Sequence, residues 1–296
     1  MSIIFTNYAS VPGITPDYRA VREMLVTIGY REFTYARWDW MATHGYLQTT
    51  QIGRMGLWME AERVVGAALF DCRPGDTFLM CLPGYEFLRK EMLGYARTHL
   101  RGPDGLRIVI PETDRAYQAL AAAAGLTPTP DAEHDAAFFV GETPLDYVLP
   151  AGYRMTDMRE TYDMYQYGRV LWKGFNHEIN GEGAYDDVPH KSWCDVDGEM
   201  KRENVDLSLK IAAVAPDGNF SAYCGIWFEP RAGFAVIEPV ATDPAHRKKG
   251  LGKAVVLEGI RRAAAMGARR AIVGSSQQFY YSIGMRPYAT NTLWRD

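Results

Sequence analysis

Apolar residues in this chain fall into short dense runs separated by polar turns, and the length and period of each run limit what it can become. Residues 57–60 and 64–70 flank the polar turn Ala61-Glu62-Arg63, which predicts two adjacent strands, and 78–82 predicts a third. A helix is expected over 85–100, a strand over 107–110 and a helix over 114–124, before a proline-rich return to a strand at 136–140. The second half repeats the rhythm, with strands at 209–214, 223–228 and 233–240 and then a helix at 253–266. On that helix Val256, Leu257, Ile260 and Ala264 share one face at helical spacing. A strand at 270–273, a short helix at 277–283 and a last strand near 291–294 complete the pattern.

The two halves meet at a stretch from Gly141 to Gly152 that also carries Pro144 and Pro150, which is turn and linker chemistry. The expected division is 1–145 and 146–296, two domains of mixed α/β (α+β) structure. Gly105-Leu-Arg-Ile-Val-Ile-Pro, a helix and Gly125-Leu126 pair with Gly267-Ala-Arg-Arg-Ala-Ile-Val, a helix and Gly284-Met285. Duplication of one domain explains this weak repeat, as does the general likeness of any two strand-helix-strand units.

Composition narrows the function classes. A length of 296 residues exceeds one average core, which agrees with two domains. The formal charge is only −4, with Lys and Arg scattered, so no long-range field favours nucleic acid or an anionic membrane. Cys72, Cys81, Cys194 and Cys224 stand far apart without a C-x-x-C pair, which reads as reduced thiols. No basic-then-apolar leader opens the sequence, and no apolar run approaches the roughly 20 residues needed to span a bilayer. A cytoplasmic protein is expected.

The most informative segment is Ala235-Val-Ile-Glu-Pro-Val-Ala-Thr-Asp-Pro-Ala-His-Arg247-Lys-Lys-Gly250-Leu-Gly252-Lys-Ala. A strand ends at an Asp-Pro turn, a basic glycine loop follows, and a helix begins. Unpaired amides at a helix N-terminus and the helix dipole both favour an anion there. Gly250 and Gly252 let the backbone approach it closely, while Arg247, Lys248 and Lys249 add positive charge. Neither of two better-known phosphate loops fits. A Walker A loop would need Gly at 247 and Ser or Thr at 254, and a dinucleotide loop Gly or Ala at 255, where Arg247, Ala254 and Val255 stand.

Arg247-x-x-Gly250-x-Gly252, after a strand ending Val-x-x-Asp-Pro, resembles the signature of the GCN5-related N-acetyltransferases (GNAT). The resemblance runs over roughly 153–294 and implies acetyl-CoA as co-substrate, no metal, and a mostly antiparallel sheet flanked by helices in each domain. It implies that the loop from Arg247 through Lys248, Lys249, Gly250, Leu251 and Gly252 to Lys253 holds the CoA pyrophosphate. It also implies that Val240 and Thr242 offer backbone groups to pantetheine. Phe279-Tyr280-Tyr281-Ser-Ile-Gly284 matches the family's aromatic segment, which makes Tyr280 the expected general acid. The asparagine often found between Val273 and Tyr280 is missing, so CoA contacts near Ser275 and Ser276 are not assigned. Glu238, two residues before Val240, is the first candidate for the base, with a surface or salt-bridged strand residue as the other reading.

The corresponding loop of the first half, Pro83-Gly-Tyr-Glu-Phe-Leu-Arg-Lys90, has one glycine, and Ala121 stands where Tyr280 stands in the second. Both functional groups are missing together, which predicts a degenerate first domain. From Glu178 to Asp206 nine acids (Glu178, Glu182, Asp186, Asp187, Asp195, Asp197, Glu199, Glu203 and Asp206) face three bases, Lys191, Lys201 and Arg202. With Trp172, Phe175, Tyr185 and Trp193 they suit a wall for a small cationic amine, or simply a solvated acidic loop. His177, His190 and Cys194 match no closed zinc pattern, no G-x-S-x-G elbow exists, and nothing nearby activates Cys224 or Cys194 as a nucleophile. The expected activity is acetyl transfer to a primary amine by direct attack; the rival is a catalytically silent CoA-binding regulatory protein. A homodimer is compatible with both.

Overall fold

The computed structural model describes residues 2–43, 47–187 and 199–296. The first half runs β1 (Ile3–Asn7), α1 (Pro16–Ile28), α2 (Tyr35–Thr43), β2 (Gly56–Glu60), β3 (Arg63–Phe70), β4 (Asp76–Cys81), α3 (Arg89–His99), β5 (Arg107–Pro111), α4 (Arg115–Ala123) and β6 (Thr127–Phe139). The second runs β7 (Arg154–Asp157), α5 (Met164–Gly174), β8 (Lys210–Val214), β9 (Phe220–Phe228), β10 (Phe234–Thr242), α6 (Leu251–Ala265), β11 (Arg270–Val273), α7 (Gln278–Ser282) and β12 (Arg286–Arg295). Every strand and helix expected from the pattern is present, within a few residues at most ends. β1, α1, α2, β7 and α5 are additional. Three of the helices start at side-chain caps: Thr15 accepts from Tyr18 N before α1, Asp114 from Tyr117 N before α4, and Asp163 from Gln166 N before α5.

The chain forms two compact units, Met1–Asp135 with Pro287–Asp296, and Ala136–Arg286. In the first the strand order is β1-β2-β3-β4-β5-β12; in the second, the end of β6 completes the order β6-β11-β10-β9-β8-β7. Among the described residues each unit has one parallel strand pair, β4 with β5 and β10 with β11. The remaining pairs are antiparallel. The expected division at 145/146 therefore gives way to one at 135/136, and the last ten residues join the first unit. The cause is strand pairing: Ala136–Phe139 lie antiparallel against β11, whereas Asn291–Arg295 lie against β5. Each half supplies the closing strand of the other unit.

The second unit is a sheet buried on both faces, so its central strands are apolar throughout rather than alternating. Ile211, Ala213, Ala222, Cys224, Ile226, Ala235 and Ile237 pack with Val255, Val256, Leu257, Ile260 and Ala263 of α6. Their alternates Ala212, Val214, Phe220, Tyr223 and Ala241 pack with Tyr167, Val170 and Leu171 of α5. The buried face of α6 is broader than expected: Val255 and Ala263 are fully enclosed, and Ala264 is only half-buried. Gly259 makes close seating possible, because a Cβ there would lie 2.7 Å from Ile226 Cγ1.

A charged network fixes α6. Glu258, 2% exposed, accepts from Arg261 Nη2 at 2.6 Å, Arg262 Nε at 2.7 Å and Tyr147 Oη at 2.8 Å. Arg262 also pairs with Asp157 at the end of β7. Burial alone would raise the Glu258 pKa, but the hydrogen bonds from Arg262, Arg261 and Tyr147 outweigh it and hold the carboxyl below its ordinary value. Glu258→Gln should therefore destabilise the unit by about 3 kcal/mol, the low end for breaking a buried ion pair, since both arginines keep solvent or a second partner. Thermal unfolding at pH 7 measures it. A depressed folded pKa makes this contribution full above the unfolded value of about 4.3 and lost as pH falls through the folded value. The difference between wild type and variant should shrink below pH ~4.

Candidate functional site

The site begins where β10 and β11 part. They pair in parallel only from Phe234↔Arg270 to Val236↔Ile272, and β11 ends at Val273 while β10 runs on to Thr242. On its other side β10 stays paired with β9 as far as Thr242↔Ala222, with a bulge between Ile237 and Val240 that contains the cis Glu238-Pro239 bond. Asp243 N donates to Ser221 O at 3.0 Å. By antiparallel alternation, Ala241 also faces β9, and Val240 and Thr242 turn their backbone groups to the open side. The bulge is accommodated by Gly225, where a Cβ would lie 2.3 Å from Glu238 O; that carbonyl also accepts from Trp227 Nε1 at 2.9 Å.

After the strand, Asp243 caps a short turn through Ala245 N, and the chain curls through left-handed Lys248 (φ 63°) and Gly250 (φ 82°) into α6. Gly250 is the N-cap, and Ala254 N makes the first helical bond to its carbonyl at 2.9 Å. Among the described residues no protein acceptor takes the amides of 248–253. Successive amides curled by left-handed residues at the start of a 15-residue helix form an anion nest. Gly252 is tightly packed: a Cβ would lie 3.0 Å from Thr242 Oγ1 and 3.4 Å from the Phe279 ring, so a larger residue would need those side chains to give.

The basic triplet is not uniformly directed at the nest. Arg247 Nη2 donates to Gly174 O at 2.8 Å and Asn176 Oδ1 at 2.7 Å, and its Nε donates to Thr242 O at 3.2 Å. Lys249 Nζ donates to Tyr153 Oη at 3.1 Å, and that hydroxyl is 2.8 Å from His246 Nδ1. Lys248 and Lys253 are exposed. Local sequence gave no sign of the partners Gly174, Asn176 and Tyr153, because they lie about 70 to 100 residues away and meet the loop only in the fold.

Tyr280 sits on α7, 7% exposed, and packs with the core of the second unit. Its neighbour Phe279, with ring centroids 5.0 Å apart, is the one that abuts Gly252. Burial chiefly, then the nearby Cys224 and Glu238, raise the Tyr280 pKa above its ordinary value, so its phenol stays protonated at neutral pH. Tyr280, Glu238 and Cys224 thus share one electrostatic neighbourhood. Cys224 itself is fully buried, and desolvation pushes its thiol well up, opposite to what a nucleophile needs.

Beyond α5, the acidic segment is partly neutralised. Glu178 accepts from Lys173 Nζ at 2.7 Å, which holds its carboxyl below the usual range. Glu182 lies 2.8 Å from His177 Nδ1, Asp186 accepts from Tyr165 Oη at 2.6 Å, and Asp206 pairs with Arg159 at 3.1 Å. Trp172 and Tyr185 are buried rather than lining a surface, while Phe175 is exposed. His190, Lys191, Trp193, Cys194, Asp195 and Asp197 lie outside the described residues. Among the described residues no three His, Cys, Asp or Glu side chains gather as metal ligands, and no helix is long and apolar enough to cross a membrane.

The first unit has the same slot but a different mouth. β4 and β5 pair only at Asp76↔Arg107 and Thr77↔Ile108. In the following loop Gly84 N donates to the Glu86 carboxylate at 2.9 Å, so an anion of the chain itself takes that amide. Arg89, first residue of α3, pairs with Asp114 at the start of α4 at 2.8 Å and lies 4.4 Å over the Tyr117 ring. Ala121, at the position matching Tyr280, is buried.

Residues 175–285 match the acetyltransferase (GNAT) family model. No curated protein matches the chain. Among solved structures, an acetyltransferase of the GNAT family from Colwellia psychrerythraea is similar with TM-score 0.60 and 11% identity, covering 100% of this chain and 99% of that one. A tandem GNAT protein from the clavulanic acid biosynthesis pathway is similar with TM-score 0.58 and 15% identity, over 100% and 98%. A GCN5-related N-acetyltransferase from Sphaerobacter thermophilus gives TM-score 0.58 and 15% identity, over 99% and 95%. At such identities the likeness concerns the fold, and it extends over both units.

Proposed function

We propose that the chain is a tandem-domain member of the GNAT superfamily and that it transfers the acetyl group of acetyl-CoA to a primary amine of a small cationic molecule, using the second unit. The observation that carries this reading is the conjunction of the parted strands β10 and β11 with six consecutive amides, 248–253, at the start of α6 that meet no acceptor among the described residues. Those amides, with Lys248 and Lys253 beside them, hold the pyrophosphate; Val240 and the amide of Thr242 hold pantetheine along the open edge. Glu238 takes a proton from the amine as its nitrogen bonds to the acetyl carbon. Tyr280 gives its phenolic proton to the sulfur as the C–S bond breaks, and recovers a proton from solvent. The buried phenol suits this role because burial keeps it in the acid form. Acetyl-CoA supplies the activated acyl group, and the chain supplies position and protons.

Free-thiol release from acetyl-CoA across a panel of amines tests the reading. Amine-dependent release supports it, whereas CoA binding without turnover for any amine supports a regulatory CoA-binding protein instead. Two further results are expected. The apparent KM of the acceptor should rise with ionic strength, since the screening length falls from about 10 Å at 0.1 M to about 3 Å at 1 M. A KM indifferent to salt would remove the cationic assignment. Calorimetric titration should give one CoA per chain, because the first unit spends the Gly84 amide on Glu86 and commits Arg89 to Asp114. Two CoA per chain would show that the first unit is not degenerate.

A further inference from the structure

Arg247 belongs to the loop that carries the amide nest, yet its guanidinium is turned away from the nest and onto the base of a different segment. That segment, 175–184, directly follows α5 and is bonded to itself. Trp172 Nε1 donates to Gly183 O at 3.1 Å, His177 stacks on Trp172 with centroids 4.2 Å apart, and Glu178 accepts from both Lys173 and Tyr185 N. Backbone bonds from Asn180 N to Asn176 O and from Glu182 N to His177 O close it internally. A loop so cross-bonded responds as a unit to a restraint at its base.

The restraint lies at that base. Gly174 has no side chain, and a Cβ there would lie 2.6 Å from Ala241 Cβ and 2.9 Å from Thr242 N, so the end of α5 rests directly on the end of β10. Arg247 then bridges three elements: the Gly174 carbonyl of α5, the Asn176 side chain of the 175–184 segment, and the Thr242 carbonyl of β10. Asn176 adopts φ 67°, a conformation asparagine tolerates better than most residues, and it presents Oδ1 to the guanidinium at 2.7 Å.

We propose that Arg247 is a positioning residue that couples the donor nest to the segment after α5: filling the nest fixes the loop, and through Arg247 and Asn176 the fixed loop stiffens 175–184. This rests on the donor-site reading above. A planar guanidinium presents its donors in a fixed fork and makes the three bonds from two nitrogens, with less freedom lost per bond than a compact lysine ammonium. Coupling of this kind is reciprocal, so whatever stiffens 175–184 must tighten CoA by the same factor that CoA stabilises the stiffened segment.

Hydrogen exchange followed by mass spectrometry, with and without CoA, tests it on the full chain. In wild type, CoA should slow exchange both at 248–253 and at 175–184. In Asn176→Gly, which keeps the left-handed conformation but removes Oδ1, protection should persist at 248–253 and fall at least about threefold at 175–184. Asn176→Asp, which restores an acceptor, should restore protection of 175–184. Absence of protection at 248–253 in wild type would refute the donor-site reading itself. Protection there without protection of 175–184, or protection of 175–184 that survives Asn176→Gly, would refute the coupling alone.

Discussion

Gly250→Glu should lower CoA affinity by more than about 100-fold while leaving the fold intact. Two effects add. Gly250 has φ 82°, so any L side chain there costs roughly 1–2 kcal/mol in the bound loop geometry. A carboxylate would also stand among the amides that are to receive pyrophosphate, and like charges about 4 Å apart near a surface repel by about 4 kcal/mol. Each 1.4 kcal/mol is a factor of about ten, so the sum exceeds two decades. The variant should still fold, since a Cβ at Gly250 meets nothing within 4 Å. Gly252→Glu is a less clean test, as its side chain would press on Thr242 and Phe279. Gly250→Ala carries the strain without the charge and should lose only about tenfold or somewhat more. Calorimetry beside circular dichroism measures these values, and undiminished affinity in a folded Gly250→Glu protein would remove the nest from the donor site.

Tyr280→Phe should lower kcat by about 10²–10⁴-fold, the usual contribution of a positioned general acid, with CoA affinity nearly unchanged. The ring stays in its packing with Phe279, so only the hydroxyl is lost. The raised phenol pKa gives the sign of the pH dependence: the acid form persists up to and beyond the ordinary value of about 10. Wild-type kcat should therefore show no alkaline loss from this group below that pH. A variant with wild-type kcat, under conditions where acyl transfer limits the rate, would assign the proton to another donor.

The central strands and the helices that follow them were legible because burial on both sheet faces demands dense apolar runs, and 209–214 and 223–228 are such runs. β1, α1, α2, β7 and α5 were not read, although Thr15-Pro16 and Asp163 are recognisable starts for α1 and α5. Those elements mix apolar and polar residues because each covers only part of a sheet. The nest was also legible: Gly250, Gly252 and the Asp-Pro turn are local chemistry with local consequences.

By itself, the sequence determined the order of the central strands and the helices that follow them, the glycine turn into α6 at 247–253 and the absence of a second glycine near Gly84, because each depends on residues adjacent along the chain. Tertiary structure alone decided which strand closes which sheet, sending 136–139 to β11 and 291–295 to β5, since backbone pairing carries no side-chain code that local reading can detect. It also decided what the charged side chains of the loop are for. The sequence lists Arg247 and Lys249 as charges beside a phosphate, but their ranges reach acceptors brought close only by folding, at Gly174, Asn176 and Tyr153. A long flexible side chain takes whatever partner lies within its reach, and that is a property of three-dimensional neighbours rather than of spacing along the chain.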